Sequence, residues 1–159
     1  YPADKQQECY DYLRAAHVPC VIGQYKASIL APETLIKNLP VARDNGSGFI
    51  CFSPLAQGLL TDRYLNGIPE DSRIAHGGHL KKEALTEKRL HQIKSLNEMA
   101  LRRGQSLAEM ALNWILKDDY VTSVIIGSSS VNQLEQNLKA LNSTPFSTEE
   151  LKEIESLCL

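Results

Sequence analysis

The sequence predicts an α/β fold built on a parallel sheet, and three observations carry it. Short apolar runs, PCVIGQ, FICF and VTSVII, alternate with longer amphipathic segments, the pattern of strands whose faces are covered by helices. The middle run passes directly into a loop of small and polar residues, SPLAQG, which is poor core material but suits a backbone that approaches a ligand closely. Three parallel strands also leave two open edges, which must be paired or covered. Closing a (β/α)8 barrel takes eight strands and about 250 residues, so the 159 residues read as part of a larger domain.

Each element follows from periodicity and local chemistry. Asp4 to His17 sets Cys9, Tyr12, Leu13 and Ala16 on one face of an amphipathic helix, the i, i+3, i+4, i+7 spacing. Pro19 to Gln24 reads as a short buried strand. Glu33 to Asn45 is helical at both ends, and Pro40 is expected to break or kink it, because proline lacks the amide hydrogen and crowds the preceding turn. Phe49 to Phe52 is a second buried strand. Ile68 to Lys82, rich in Gly, His and charge and without periodicity, reads as a mobile surface loop.

Thr86 is placed to cap a helix reaching about Arg103, with Leu90, Ile93, Leu96 and Ala100 inward and Gly104 as its stop. Ser106 with Glu109, and Ser147 with Glu150, are capping-box pairs that open two further helices. Between them, Val121 to Ile126 is a β-branched strand, and Gly127-Ser128-Ser129-Ser130 leads into a helix through about Leu141.

Composition excludes several function classes. With 43% hydrophobic and 23% charged residues the chain is ordinary for one globular domain. A net charge of -2 gives no electrostatic case for nucleic acid or an anionic membrane as partner. No apolar run approaches a bilayer-spanning length, and YPADKQQE lacks the make-up of a signal peptide. Cys9, Cys20, Cys51 and Cys158 are widely spaced without a C-x-x-C pair, so reduced, mostly buried thiols in a cytoplasmic protein are expected.

The chemistry-bearing candidates are few. Gly127 to Ser130 lies between a strand and a helix N-terminus, where unpaired N–H groups and the helix dipole attract anions; taken alone, such a serine-rich start is more often only a cap. His76-Gly-Gly-His79 lacks a supporting Cys or carboxylate, so no metal site is expected. His17 and His91 read as surface residues and Trp114 as core. The glycines of NGSGF do not make G-x-G-x-x-G, which removes a Rossmann reading. No G-x-S-x-G elbow is present, which removes the main hydrolase alternative.

In that order, VPCVIGQ, FICFSPLAQGLLTDRYLNGIP and QSLAEMALNWILKDDYVTSVIIGSSSVNQLEQNLKAL resemble the C-terminal half of the aldo-keto reductases. The branch is that of the bacterial glyceraldehyde-3-phosphate reductase-like enzymes and the potassium-channel β subunits. The resemblance implies a partial (β/α)8 TIM barrel: the helix after strand five, then strands six to eight with their helices, with residues 1–159 forming one incomplete domain. It also implies NADP(H) extended across the C-terminal mouth, the end at which barrel active sites gather. Gln24 would bond the nicotinamide carboxamide. Ser53, Pro54, Leu55, Gln57, Gly58 and Leu60 would wrap the pyrophosphate and nicotinamide ribose, with part of Leu60 to Arg73 closing over the dinucleotide. Gly127, Ser128, Ser129 and Ser130 would hold the adenosine 2′-phosphate, and Gln133 and Asn137, one helical turn apart, would contact the adenine.

Two departures bear on function. Ser130 stands where the family commonly has Arg or Lys, so a charge-assisted partner for the 2′-phosphate is missing, and a strong preference for NADP over NAD is not expected. Ala27 stands where the family has a Tyr that stacks on the nicotinamide, and alanine offers no π surface; Tyr25 is the nearest ring. The Asp, Tyr, Lys and His that the family uses for proton transfer belong to the N-terminal half of the barrel and have no counterpart here. Tyr10, Tyr12, Tyr64 and Tyr120 lack the required neighbours and lie away from the matching strand ends.

No catalytic residue is therefore expected. The resemblance makes the chain the NADP(H)-binding part of an oxidoreductase that reduces small aldehydes or ketones. Alone it would be inactive, and it would depend on the missing N-terminal half-barrel or on a second copy of itself. The alternative is a non-catalytic nucleotide-binding or protein-interaction module of the same descent.

Overall fold

The computed structural model describes residues 1–70 and 82–159. Strands β1 (Ile22–Lys26), β2 (Gly48–Phe52) and β3 (Val121–Ile125) form one parallel sheet in the order β1-β2-β3. Helix α1 (Ala3–Ala15) precedes β1, and α2 (Glu33–Asp44) joins β1 to β2. Helices α3 (Glu87–Arg102) and α4 (Leu107–Leu116) lie between β2 and β3, and α5 (Val131–Leu138) and α6 (Thr148–Cys158) follow. Neighbouring parallel strands are joined by right-handed crossovers, so α2 and α4 cover the same face of the sheet.

The register shows what each face carries. Phe49, Cys51 and Val121 are buried toward the helices, and desolvation pushes the Cys51 thiol up to about 11. The opposite face carries Gln24, Ile50 and Ser123 in one row and Lys26, Phe52 and Ile125 in the next. That face has no cover among the described residues: Ile22 is 47% exposed and Ile125 45%. A parallel sheet normally has both faces covered. Here the helices line one side, and the bare side corresponds to the interior of a (β/α)8 barrel. Between β2 and β3 the register shifts at Phe49/Ile50, and the Thr122 hydroxyl accepts the Phe49 N–H at 3.1 Å.

The second half of the chain packs as its periodicity predicts. Thr86 caps α3, its hydroxyl accepting the Arg89 N–H at 3.1 Å, and Gly104 takes the left-handed φ of 68° at the far end. Ile93, Leu96, Ala100, Met110 and Ile115 are fully buried between α3, α4 and the sheet. Both capping boxes close reciprocally. Trp114 is core, and His91 is exposed. Arg103 fixes the approach to α6, donating to Glu150 Oε2 at 2.6 Å and to the Thr144 carbonyl at 2.6 Å while lying 4.0 Å over the Phe146 ring.

Several expectations, most of them in the first half, are corrected. Strand β1 begins at Ile22, not Pro19, and continues to Lys26, because its partner β2 supplies a ladder as far as Phe52. It is an edge strand with alternate residues exposed, not a buried one. Helix α1 buries Gln6 and Tyr10, whereas Cys9, Tyr12 and Ala16 are exposed and Leu13 is half-buried. The rotation is set by α2: the Asn38 amide donates to Gln6 Oε1 at 2.6 Å, and the Gln6 amide returns a bond to the Asn38 carbonyl at 3.2 Å.

Helix α2 also runs unbroken through Pro40. Burial of Leu35, Leu39 and Ala42 on its other side outweighs the one backbone bond that the proline removes. Finally, the four cysteines are free, but Cys9 is exposed, Cys20 and Cys158 are half-buried, and only Cys51 is fully buried. The predicted loop from 68 to 82 and the His76/His79 pair lie mainly or wholly outside the described residues.

Candidate functional site

The loop that leaves β2 is built from backbone geometry that L-residues avoid. Ser53, Ala56 and Gln57 have φ of 55°, 48° and 60°, and Gly58 has 101°. A left-handed non-glycine residue costs about 1–3 kcal/mol and persists only where its surroundings impose it; such residues cluster at ligand clamps. The surroundings here are explicit. Amides turn back within the loop, from Ala56 to the Ser53 carbonyl at 2.9 Å and from Gly58 to the Leu55 carbonyl at 2.9 Å. Leu59, Leu60 and Tyr64 anchor its end in the core. Leu55, at φ -95° and ψ 17°, precedes left-handed Ala56. That alternation of hand shapes a concave turn of the kind that cradles anions, with the Ala56 and Gly58 N–H groups themselves turned back into the loop.

The turn that leaves β3 needs no such strain. Gly127 to Ser130 are exposed, and Ser130 is the N-cap of α5, its hydroxyl accepting the Gln133 N–H at 3.2 Å. Gln133 reaches back, so that its Oε1 accepts the Ser129 N–H at 2.7 Å and the Ser129 hydroxyl at 3.1 Å. One turn further along, the Asn137 side-chain nitrogen is buried without a hydrogen-bond partner. A buried amide left unpaired costs about 1–3 kcal/mol, and an unpaired group of this kind in a native fold calls for a partner.

Because β2 and β3 are neighbours, the two segments meet. Together they wall a cavity of about 570 Å³ lined by Ser53, Pro54, Leu55, Gln57 and Gly58 from the first and by Gly127, Ser128, Ser129 and Gln133 from the second. This volume is that of an ordinary small-molecule or cofactor site. Thr61, Arg63 and Tyr64, from the Leu60 to Arg73 stretch expected to close over the ligand, complete the wall together with Ile125 and Ile126, which were not expected there. Arg63 carried a legible signal, being the first basic residue after Arg43. Tyr64, expected away from the strand ends, lies in the wall itself and is 1% exposed.

Four predicted residues are not on this wall. Leu60 is fully buried beneath the loop and acts as its anchor, because its apolar side chain gains more from the core than from the cavity. Ser130 and Asn137 stand just behind the turn, as cap and as unpaired amide. Gln24 is exposed on the uncovered sheet face, paired in register with Ile50.

The stacking position is vacant of any ring. Ala27 is 0% exposed and donates its N–H to the Phe52 carbonyl at 3.3 Å, prolonging the ladder. Tyr25 points to the helix side, stacked on Phe49 with centroids 4.1 Å apart. Its ring lies over Gly23, where an added Cβ would come within 2.6 Å of the ring edge. Burial, with the Tyr10 phenol beside it, raises the Tyr25 hydroxyl well above its ordinary pKa. Tyr25 therefore cannot replace the missing ring on the side that carries Gln24.

The wall brings together two strand-end loops, Arg63 and Gln133, a set that fits an anionic ligand. The family model described as the aldo/keto reductase family matches residues 1–158. The L-glyceraldehyde 3-phosphate reductase of Escherichia coli (strain K12) is 47% identical over 161 residues, covering 98% of this chain and 46% of that protein. A probable voltage-gated potassium channel subunit beta of Oryza sativa subsp. japonica is 38% identical over 116 residues, covering 71% of this chain and 35% of its own length. The holo form of an aldo-keto reductase from Bacillus halodurans superposes with a TM-score of 0.63 at 28% identity, over 96% of this chain and 47% of that one. The chain thus spans less than half the length of the relatives it matches.

Proposed function

We propose, from the premise that this chain belongs to the aldo/keto reductase family, that it carries the NADP(H)-binding part of a carbonyl reductase. The observation that supports this reading is the cavity walled jointly by the strained loop after β2 and the turn after β3. In this reading the Leu55 to Gly58 backbone and Arg63 hold the pyrophosphate, and Gly127 to Ser130 hold the 2′-phosphate. Asn137 gives its unpaired amide to the adenine beside Gln133, and Gln24 orients the nicotinamide carboxamide. Bound nicotinamide supplies the hydride for reducing a small aldehyde or ketone. Arg63 on the cavity wall brings a cation to the pyrophosphate, which NADP(H) and NAD(H) share, so the 2′-phosphate is left to the Gly127 to Ser130 turn without a charged partner. The four free cysteines suit the reducing cytoplasm.

The test is titration of the purified chain with NADPH and NADH, following nicotinamide fluorescence. Saturable binding is expected; no binding of either overturns the reading. Even saturated with NADPH, the chain is expected to reduce small aldehydes no faster than a no-enzyme control. It supplies no proton donor, and losing general acid catalysis alone removes about 10²–10⁴-fold in rate. Aldehyde-dependent loss of NADPH absorbance that Ser53→Ala abolishes would contradict this.

A second reading is favoured by the orientation of Tyr25 and the burial of Ala27: a nucleotide-binding or interaction module that performs no reduction. Adding the N-terminal half of a related reductase separates the two, restoring turnover under the first reading and not under the second. In either case the uncovered sheet face and open edges call for a partner, a complementary half-barrel or a second copy. A monodisperse monomer with a cooperative melt would count against that.

A further inference from the structure

We infer that Thr61 is a positioning residue for the dinucleotide, clasping the strained loop to the segment that carries Arg63. The inference rests on the cofactor reading above. The loop after β2 enters through left-handed Ser53 and turns through Ala56, Gln57 and Gly58. At its exit the Thr61 hydroxyl donates to the Gly58 carbonyl at 2.7 Å and accepts the Arg63 N–H at 3.3 Å.

One hydroxyl thereby fixes two things. The bond to the carbonyl holds the Gly58–Leu59 peptide, whose N–H bonds the Ala56 carbonyl at 3.3 Å, and so keeps the shape of the turn that lines the cavity. The bond from Arg63 fixes the backbone from which the cation reaches the same wall. Glycine at φ 101° moves between conformations more freely than any other residue, so losing the clasp leaves this peptide to the longer 3.3 Å bond from the Leu59 N–H to the Ala56 carbonyl and to the buried Leu59 side chain. Thr61 is only half-buried and lines the cavity with Gly58 and Arg63, so its hydroxyl acts at the wall and not in the core.

The test compares Thr61→Val, which removes the hydroxyl at nearly constant shape, with Thr61→Ser, which keeps it. Two probes are titrated: NADPH, and adenosine 2′-monophosphate, which reaches only the turn after β3. Thr61→Val is expected to weaken NADPH about tenfold, the scale of one lost hydrogen bond. It should leave adenosine 2′-monophosphate unchanged, and Thr61→Ser should restore NADPH to within about twofold. Hydrogen exchange at the Leu59 and Leu60 amides should quicken in Thr61→Val without any ligand present.

Wild-type affinity for NADPH in Thr61→Val, failure of Thr61→Ser to restore it, or unchanged exchange would overturn the inference. Equal loss of both probes would show a general defect and overturn it too. If the wild-type chain bound no dinucleotide, the cofactor reading would fail and the positioning role with it. If it bound and Thr61→Val bound equally, only the clasp would fail.

Discussion

The loop after β2 and the turn after β3 wall one cavity by opposite means. The first carries four left-handed residues, three of them not glycine, and is held by Leu59, Leu60 and Tyr64 buried beneath it. The second is unstrained, fully exposed, and organised by its own serine cap and the returning Gln133 side chain. The difference teaches where each segment keeps its shape. A contorted backbone needs support from the core below, whereas a helix start carries its own instructions within one turn.

The largest expected effect tests that support. Tyr64→Ala should cost about 3–5 kcal/mol, the range for emptying a buried aromatic site. Ser130→Ala should cost about 1 kcal/mol for a lost cap. Urea melts of both variants check the pair; similar losses would erase the distinction between the two segments.

Ser130→Arg sharpens the comparison from the ligand side. A charge-assisted pair with the 2′-phosphate should add roughly 1.5–3 kcal/mol to NADPH binding, about tenfold or more, with NADH almost unchanged. Because Ser130 also caps α5, the same variant should melt slightly lower even as its affinity rises. Equal effects on both dinucleotides in titration would put the phosphate elsewhere.

The smallest effect lies away from both segments and sets a baseline for them. Burial opposes ionisation of Glu150, but the bonds from Arg103 and the Ser147 amide prevail and hold its pKa below the ordinary value of 4.5. A carboxyl with a depressed folded pKa stabilises above its unfolded pKa, and loses that contribution as pH falls through the folded one. The docking of α6 should therefore weaken as pH drops below about 4.5, and Glu150→Gln should flatten that part of the pH dependence. Thermal melts from pH 6 downward compare the two proteins.

Whatever depended on neighbours in sequence was legible. The capping boxes of α4 and α6, the Thr86 cap, the Gly104 stop and the apolar face of α3 all appear where the sequence predicts them, since each is decided within a turn or two of helix. The SPLAQG and GSSS segments were legible as strand-end loops for the same reason. Their meeting was not, because it depends on β2 lying beside β3. The face that α1 buries was decided by Asn38, far along the chain. Strand alternation places Gln24 and Tyr25 on opposite sides, but only the packing of helices on the Phe49 side makes Tyr25 the inner residue and leaves Gln24 bare. Leu60 and Arg63 show the same division. Their sequence says apolar and basic, and the fold sends one into the core and the other to the cavity wall. Sequence-local hydrogen bonds and periodicity determined the elements, and contacts between distant segments, which no local pattern encodes, decided which side chains became a site.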